Sequence, residues 1–228
     1  MYFDFMKFDL KNINLGFKSS DAHQIYSELR IYFDNCRDEI YFQKHPLGFK
    51  YFKLGNISAT EELRLHLWTK TNENHDDDLQ IHDHSFNFKS FVVFGLVENH
   101  LYKPIYEKDA VGFIYDVKFR NEKSRLLINS SKQKLVDIKS EKLTTGNFYN
   151  INSNEFHKTE NLLEPSLTLI KITKPQNKVA RVFSPKKLSK LSKFKREFFS
   201  EQENEMLIDE VINLIQLGEC TVANKELR

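Results

Sequence analysis

His82 and His84 are the residues whose types and spacing most directly predict chemistry. They are separated by Asp83 in a stretch, residues 81–88, that we interpret as a strand. Residues i and i+2 of a strand point to the same face, with Cα atoms roughly 6.5 Å apart, so two imidazoles at this spacing can converge on one metal ion. The pair alone does not decide the matter, because an exposed strand beside the acidic residues 76–78 would explain it equally well.

A wider spacing pattern surrounds this pair. The residues that carry it are His82, His84, Gly95, Gly146, Asn152, Asn154, His157 and Asn161. Their intervals resemble the two motifs of the cupin superfamily, G-x5-H-x-H-x3,4-E-x6-G and G-x5-P-x-G-x2-H-x3-N. In the second motif the spacing of Gly, His and Asn fits without a gap, and two asparagines replace Pro and Gly. Asn tolerates left-handed turn geometry better than other ordinary residues, so the chemistry of the turn is kept.

The first motif departs from the family in two places. Asp76 replaces the leading Gly, and Phe88 stands where the family usually has its metal-binding Glu. Gly95 follows Phe88 at the family's six-residue interval, which fixes the alignment. The resemblance, which covers residues 64–172, therefore implies a site of three histidines, as in thiol-dioxygenase-like and diketone-cleaving cupins: His82, His84 and His157.

The resemblance also implies the chemistry of such a site. Three neutral imidazoles on one side of an ion leave the opposite positions open for substrate, water or dioxygen. Fe(II) is the first choice of metal, and Zn, Mn, Ni or Cu remain alternatives because imidazole suits most of them. The spacing does not choose among these ions.

Three further residues are candidates for substrate binding. Arg64 and His66 share a face of a predicted strand and could meet an anionic group in the mouth of a barrel, although a solvent-facing polar edge is the commoner explanation. Tyr149 precedes His157 and could orient a substrate, but buried tyrosines are usually core residues with a satisfied hydroxyl.

Hydropathy patterns predict a mainly β fold. The chain has 20 Phe but only 7 Gly and 5 Pro, and aromatic residues favour half-buried strands. The predicted strands cover residues 63–68, 81–88, 91–101 with a break at Gly95, 111–119, 124–135, 148–151 and 166–172. Many short strands favour a sandwich or barrel, and the resemblance implies a cupin-type double-stranded β-helix (jelly-roll) barrel with helices at both termini.

The predicted division of the chain follows from this pattern. Residues 1–48 form an N-terminal helical flank, 49–175 the barrel, and 176–228 a C-terminal helical extension of one principal domain. In the first flank, an amphipathic helix within residues 20–42 has Ser19, Ser20 or Asp21 available as its N-cap. In the last, a helix over residues 205–217 is expected to stop at Gly218.

The stretch Lys186–Arg196 is strongly basic and has rough helical spacing. It could contact phosphate groups of nucleic acid or lipid, but we favour the solvated face of a helix that covers the barrel or a neighbouring subunit. The formal net charge of the whole chain is only +2, which gives no general preference for polyanions. The resemblance additionally implies a homodimer.

Cysteine usage and hydropathy indicate the compartment. The two cysteines, Cys36 and Cys220, show no C-x-x-C spacing, so neither a disulfide framework nor a thiolate zinc site is expected. No apolar run approaches the roughly 20 residues that span a bilayer. A cytoplasmic protein without a membrane partner is therefore expected.

Two functions compete at this point. The first is an Fe(II)-dependent dioxygenase or related oxidoreductase that acts on a small anionic molecule through the three histidines. The second is a non-enzymatic ligand-sensing or regulatory module whose basic C-terminal segment contacts nucleic acid or a partner. Metal content and oxygen consumption distinguish the first function, and salt-sensitive binding of a polyanion the second.

Overall fold

The computed structural model describes residues 8–69, 79–120, 123–174, 178–188, 194–195 and 197–227. Within these ranges the helices are α1 (Leu10–Ser19), α2 (Ala22–Asn35) and α3 (Glu201–Glu226). The strands are β1 (Gln43–Lys44), β2 (Lys50–Asn56), β3 (Glu61–Trp68), β4 (Asn87–Tyr106), β5 (Gly112–Arg120), β6 (Lys123–Thr144), β7 (Phe148–Ile151), β8 (Phe156–Thr173), β9 (Ala180–Ser184) and β10 (Phe194–Lys195).

Helix α2 forms inside the predicted range. The side chain of Asp21 caps it by accepting a hydrogen bond from the backbone N–H of Gln24, at 3.0 Å. The helix ends at Asn35 rather than near residue 42, and its apolar stripe, which includes Ile25 and Leu29, is buried. The preceding helix α1 was not predicted.

The strands form one antiparallel sheet in the order β1-β2-β3-β8-β4-β6-β5-β9, with β7 paired to β4 and β10 to β6. Both β4 and β8 are long strands that bend. The first half of β4 pairs with β7 and with the second half of β8. The second half of β4 pairs with β6 and with the first half of β8. The sheet is therefore curled rather than flat.

The bend in β4 lies at the predicted break, Gly95. Register shifts between β4 and β8 cluster from Val92 to Val97. Gly95 has a φ of 103°, and a Cβ there would lie 2.0 Å from the hydroxyl of Ser166 on β8. Only glycine permits this backbone conformation and this close approach, so the residue bends the strand instead of ending it.

Residues 81–83 lie between two strands that are not neighbours in the sheet, β8 and the edge strand β9. His82 forms isolated antiparallel bridges with His157 on β8 and with Val182 on β9. Since β8, β4, β6, β5 and β9 are neighbours in that order, the bridges complete a circuit of strands. The predicted strand over residues 81–88 is wrong in its extent, because His82 is a single bridge residue and regular pairing starts at Asn87.

The sheet has two different faces near the histidines. Alternate residues of β3 and β8, such as Leu63, Leu65 and Leu169, are buried in a cluster with apolar residues of all three helices. Each fully buried Leu or Ile contributes about 1.5–3 kcal/mol to folding. The intervening residues, including Arg64 and Thr168, line a cavity on the opposite face. The helices therefore pack on the side of the sheet opposite the cavity.

Gly218 does not end the C-terminal helix. Helix α3 continues to Glu226, and Gly218 is buried in its middle. A Cβ at this position would lie 2.1 Å from the carbonyl oxygen of Val93 and 2.8 Å from the Tyr26 hydroxyl, which donates a 2.6 Å hydrogen bond to that carbonyl. Glycine is needed here because the helix crosses close to β4, not because the helix stops.

The segment after β9 differs from the predicted helix where it is described. Lys186 and Lys187 follow β9 in irregular backbone, and residues 194–195 form β10. Lys190, Lys193 and Arg196 of the basic stretch lie outside the described residues. Strands β1, β9 and β10 belong to the sheet. The sheet therefore extends beyond the predicted barrel, residues 49–175, into both predicted helical flanks.

The described part of the molecule is mainly β, with a curled antiparallel sheet and helices toward both termini. This architecture is consistent with the predicted jelly-roll barrel. None of its described helices is both long and apolar enough to cross a membrane.

Candidate metal centre

The structure brings His82, His84 and His157 together. Their ring centroids are 4.8 Å apart for His82 and His84, 4.7 Å for His82 and His157, and 5.0 Å for His84 and His157. One nitrogen from each ring lies within 4.8 Å of the others. Among the described residues these three form the one group of His, Cys, Asp or Glu with this compactness.

Backbone pairing positions two of the rings. The N–H of His82 donates to the carbonyl of His157 at 3.0 Å, and the N–H of His157 donates back to the carbonyl of His82 at 2.8 Å. Residues directly opposite in an antiparallel pair point to the same face of the sheet. His82 and His157 therefore share a face although 74 residues separate them in the chain.

A turn after β7 places the third ring. Asn154 has a φ of 68°, the left-handed conformation predicted for this turn. Its N–H lies 3.3 Å from the carbonyl oxygen of His84, which accepts the hydrogen bond. The turn that leads into His157 thus also holds the backbone at His84.

Asp83 anchors the segment between the two histidines. Its side chain is 1% exposed and accepts hydrogen bonds from the backbone N–H and the guanidinium of Arg181 on β9, with Arg181 Nη2 at 2.6 Å from Oδ2. The guanidinium also lies over the ring of Phe156, 4.9 Å from its centroid. This ion pair, with its buried carboxylate, ties the histidine segment to β9.

The histidines are in the protonation state that a metal requires. Burial lowers the pKa of His82 and lowers the pKa values of His84 and His157 well below the ordinary value, with the neighbouring histidines adding to the effect for the last two. All three are therefore neutral near pH 7. The Nδ1 of His82 lies 2.9 Å from the carbonyl oxygen of Gln80, an arrangement that leaves Nε2 as the ligand atom.

The spacing of the nitrogens fits a single ion. For three atoms within 4.8 Å of one another, a point no more than about 2.8 Å from each always exists. Metal–imidazole bonds of about 2.0–2.1 Å are then reached by small side-chain rotations. Three neutral imidazoles are suitable ligands for Fe, Zn, Ni and Cu.

Phe88 lies beside the histidines, as the alignment of the first motif predicted. Its ring centroid is 5.4 Å from that of His84 and 5.8 Å from that of His157. The ring of Phe86 also stacks on His84, with ring centroids 4.6 Å apart. Apolar rings therefore occupy the surroundings in which a carboxylate ligand would be expected in a cupin.

A cavity of about 600 Å³ opens next to the three histidines. It lies between the inner face of β2, β3 and β8 and the apolar residues of β5, β6 and β9. A cavity of this size accommodates a small organic molecule. A ligand in the cavity would have direct access to the open side of an ion on the histidines.

The structure places Arg64 and His66 in this cavity rather than on an exposed edge. The guanidinium of Arg64 forms an ion pair with the carboxylate of Glu62 and lies 5.9 Å from the ring centroid of Phe86. Burial, together with the nearby Arg64, lowers the pKa of His66 to about 3, so this ring is also neutral. Both residues are positioned for ligand contact.

Tyr149 also lines the cavity and is 9% exposed. Burial raises the pKa of its hydroxyl, which is close to Ser90 and Thr159. The tyrosine is therefore protonated at neutral pH. Tyr149 is at once a core residue and part of the cavity wall. A packing role and contact with a ligand, the two alternatives considered from the sequence, are therefore compatible.

Two contributions to the site were missed by the sequence analysis. His45 lines the cavity and stacks on Phe49, with ring centroids 4.0 Å apart. Glu62 is 1% exposed and pairs with Lys53, Arg64 and Lys174. The alternation of β3 places Glu62 on the same face as Arg64, a signal that could have identified their pairing.

Comparisons with known proteins give limited information. No protein-family model matches the sequence, and no curated protein matches it. Hydroxypropylphosphonic acid epoxidase from S. wedmorenis is similar with a TM-score of 0.34 and 16% identity, over 60% of this chain and 56% of the epoxidase chain. A protein from Shewanella oneidensis is similar with a TM-score of 0.26 and 11% identity, over 77% of this chain and 89% of its own.

The chain thus spans little more than half the length of the epoxidase. At these TM-scores the likeness does not identify a family.

Proposed function

We propose that the protein is a cupin-like metal enzyme, an Fe(II)-dependent dioxygenase or related oxidoreductase that acts on an anionic molecule. The observation that carries the proposal is the convergence of three neutral imidazoles at a cavity large enough for a substrate. The spacing resemblance to the cupin motifs supports it, as does the fact that no fourth His, Cys, Asp or Glu among the described residues belongs to the group.

The residues of the site would have distinct roles. His82, His84 and His157 would hold the ion, and Asp83 with Arg181 would keep the histidine segment in place. When bound, Fe(II) would supply Lewis acidity and redox chemistry with dioxygen. The apolar rings of Phe86 and Phe88 would limit the access of water to the site.

Charge around the cavity supports an anionic substrate. Arg64, Lys118 and Lys178 are among the lining residues, and Asp83 is the one carboxylate among the described residues of the lining. Asp83 is neutralised by Arg181 and Arg64 is paired with Glu62, so Lys118 and Lys178 make the net charge of the described lining positive. A bound divalent ion would add to this charge, since neutral imidazoles do not compensate it.

Nitric oxide, a stand-in for dioxygen, tests whether the iron would have an open position. Protein loaded anaerobically with one equivalent of Fe(II) is expected to give the high-spin EPR signal of an iron–nitrosyl adduct. His84→Ala protein mixed with the same amounts of iron and nitric oxide serves as the control for unbound iron. Iron-loaded wild-type protein that gives no such signal would contradict the proposal, because its metal would be fully coordinated.

A further inference from the structure

The size of the cavity exceeds the needs of a compact polar substrate. An apolar cavity of about 150 Å³ holds one benzene molecule, whereas this cavity measures about 600 Å³. Ligand-binding clefts of proteins commonly have volumes of about 300–1,000 Å³. The space is therefore as large as a site for a full organic molecule, and a ligand that occupied only the open side of an ion would leave most of it to water.

One wall of the cavity is aromatic. The ring of Phe49 stacks on His66 with centroids 4.5 Å apart and lies 4.6 Å from the centroid of Trp68. Phe49 lines the cavity from the segment just before β2, and His66 and Trp68 line it from β3. Flat aromatic rings in this arrangement provide a surface on which another ring or an apolar chain packs.

A second part of the lining is aliphatic. It is formed by residues of one apolar cluster that also line the cavity: Leu47, Leu79, Val117, Leu126 and Val182. Val182 belongs to the strand that pairs with His82, so this wall begins next to the histidines. The three histidines thus adjoin the aliphatic part of the lining, and the aromatic part adds a second apolar surface to the same cavity.

From this arrangement we infer that the substrate is amphiphilic: an anionic head that binds the metal, joined to an aromatic or branched apolar body that packs against the two apolar walls. The inference rests on the proposed function, because the head is oriented by the metal. It deepens that function by excluding very small polar anions as the preferred substrates.

Two hydroxamates that share a chelating head provide the test. Acetohydroxamate has a methyl tail, and phenylacetohydroxamate adds a ring that a methylene separates from the head. Calorimetric titration of Zn(II)-loaded protein is expected to show about tenfold or more tighter binding of phenylacetohydroxamate, because its ring is removed from water. The affinity ratio of the two ligands reports the apolar walls, and the metal content of the protein is measured separately.

Matched variants assign the preference to the walls. Trp68→Ala on the aromatic side and Val117→Asn on the aliphatic side are each expected to reduce the affinity ratio to about threefold or less. Ile128→Asn makes the same chemical change at a residue that is 53% exposed and pairs with β5, and it should keep the wild-type ratio. Circular dichroism confirms that each variant is folded before titration.

The outcomes separate the inference from the proposed function. A zinc-loaded protein that binds both hydroxamates with equal affinity would overturn the amphiphilic substrate and leave the metal centre standing. A ratio that stays at the wild-type value in both wall variants would overturn it as well. A folded protein that takes up no metal would overturn the proposed function and, with it, this inference.

Discussion

Phe88 packs its ring against two of the site histidines, His84 and His157. A carboxylate at this position would reach the same ion as the histidines and convert a three-histidine site into one with four protein ligands. Under the proposed function, the ring would therefore set both the ligand number and the charge of the site, and it would keep one more position open for substrate.

The variant Phe88→Glu tests this role. Because the new carboxylate adds a ligand and a negative charge, we expect metal affinity to increase by about tenfold or more, as measured by competition with a chromophoric chelator. Without metal, the buried carboxylate should destabilise the fold by about 2–4 kcal/mol. Phe88→Leu keeps the apolar character and serves as the control; equal metal affinity in the two variants would contradict the assigned position.

Glu62 makes the stability of the protein depend on acid pH. Burial raises the pKa of its carboxyl, but Lys174, Arg64 and Lys53 outweigh burial and lower the pKa to about 2. A carboxyl with a depressed folded-state pKa stabilises the fold above its unfolded pKa, and this contribution is lost as the pH falls toward the folded value.

For the metal-free protein, we expect the difference in unfolding free energy between wild type and Glu62→Gln to shrink by about 2 kcal/mol from pH 6 to pH 3. Urea unfolding at both pH values in the presence of a chelator measures it. A pH-independent effect of Glu62→Gln would contradict the cationic cluster.

At the scale of elements, the histidine segment depends on its attachment to β9. Asp83→Asn removes one charge of a buried pair and leaves Arg181 without its carboxylate. We expect a loss of about 2–4 kcal/mol in thermal or urea unfolding, together with weaker metal binding. Asp209→Asn breaks an exposed pair with Arg37 and should cost less than about 1 kcal/mol. Similar effects of the two substitutions would argue against the anchoring role.

The crossing of α3 over β4 depends on Gly218. Alanine favours helix by about 1 kcal/mol relative to glycine, but its Cβ would collide with the carbonyl of Val93. We therefore expect Gly218→Ala to destabilise the protein by about 2 kcal/mol in urea unfolding. Gln216→Ala, at an exposed position of the same helix, should change stability by no more than about 0.5 kcal/mol. A stabilised Gly218→Ala protein would show that the helix lies farther from the sheet.

Local patterns predicted the elements that are determined locally. The alternation around Leu63 and Leu65 predicted β3, and the spacing of Ile25 and Leu29 predicted α2, because one face of each element is buried. The role of Gly218 could not be predicted in this way. It depends on the carbonyl of Val93, which is distant in the chain.

The same distinction applies to the site. The two-residue spacing of His82 and His84 predicted their convergence, although the segment is held by bridges to β8 and β9 instead of forming a regular strand. His45 and the pairing of Asp83 with Arg181 depend on contacts between distant segments. No local periodicity reports such contacts.

At the scale of the whole molecule, the sheet lies between the helices and the candidate metal centre. The helices near both termini bury their apolar faces against one side of the sheet, and the histidines and the cavity occupy the other side. The helices therefore have a structural role within a single chain. The homodimer that the cupin resemblance implies stays a prediction.

The metal content of the purified protein tests the central claim most directly. After anaerobic equilibrium dialysis against Fe(II), elemental analysis should find one ion per chain in the wild type and in His100→Ala, and less than about a tenth of an ion in folded His84→Ala. His100 is a suitable control because it lies on β4 outside the three-histidine group. A wild-type protein without iron, or a His84→Ala protein that keeps a full equivalent, would contradict the three-histidine metal centre.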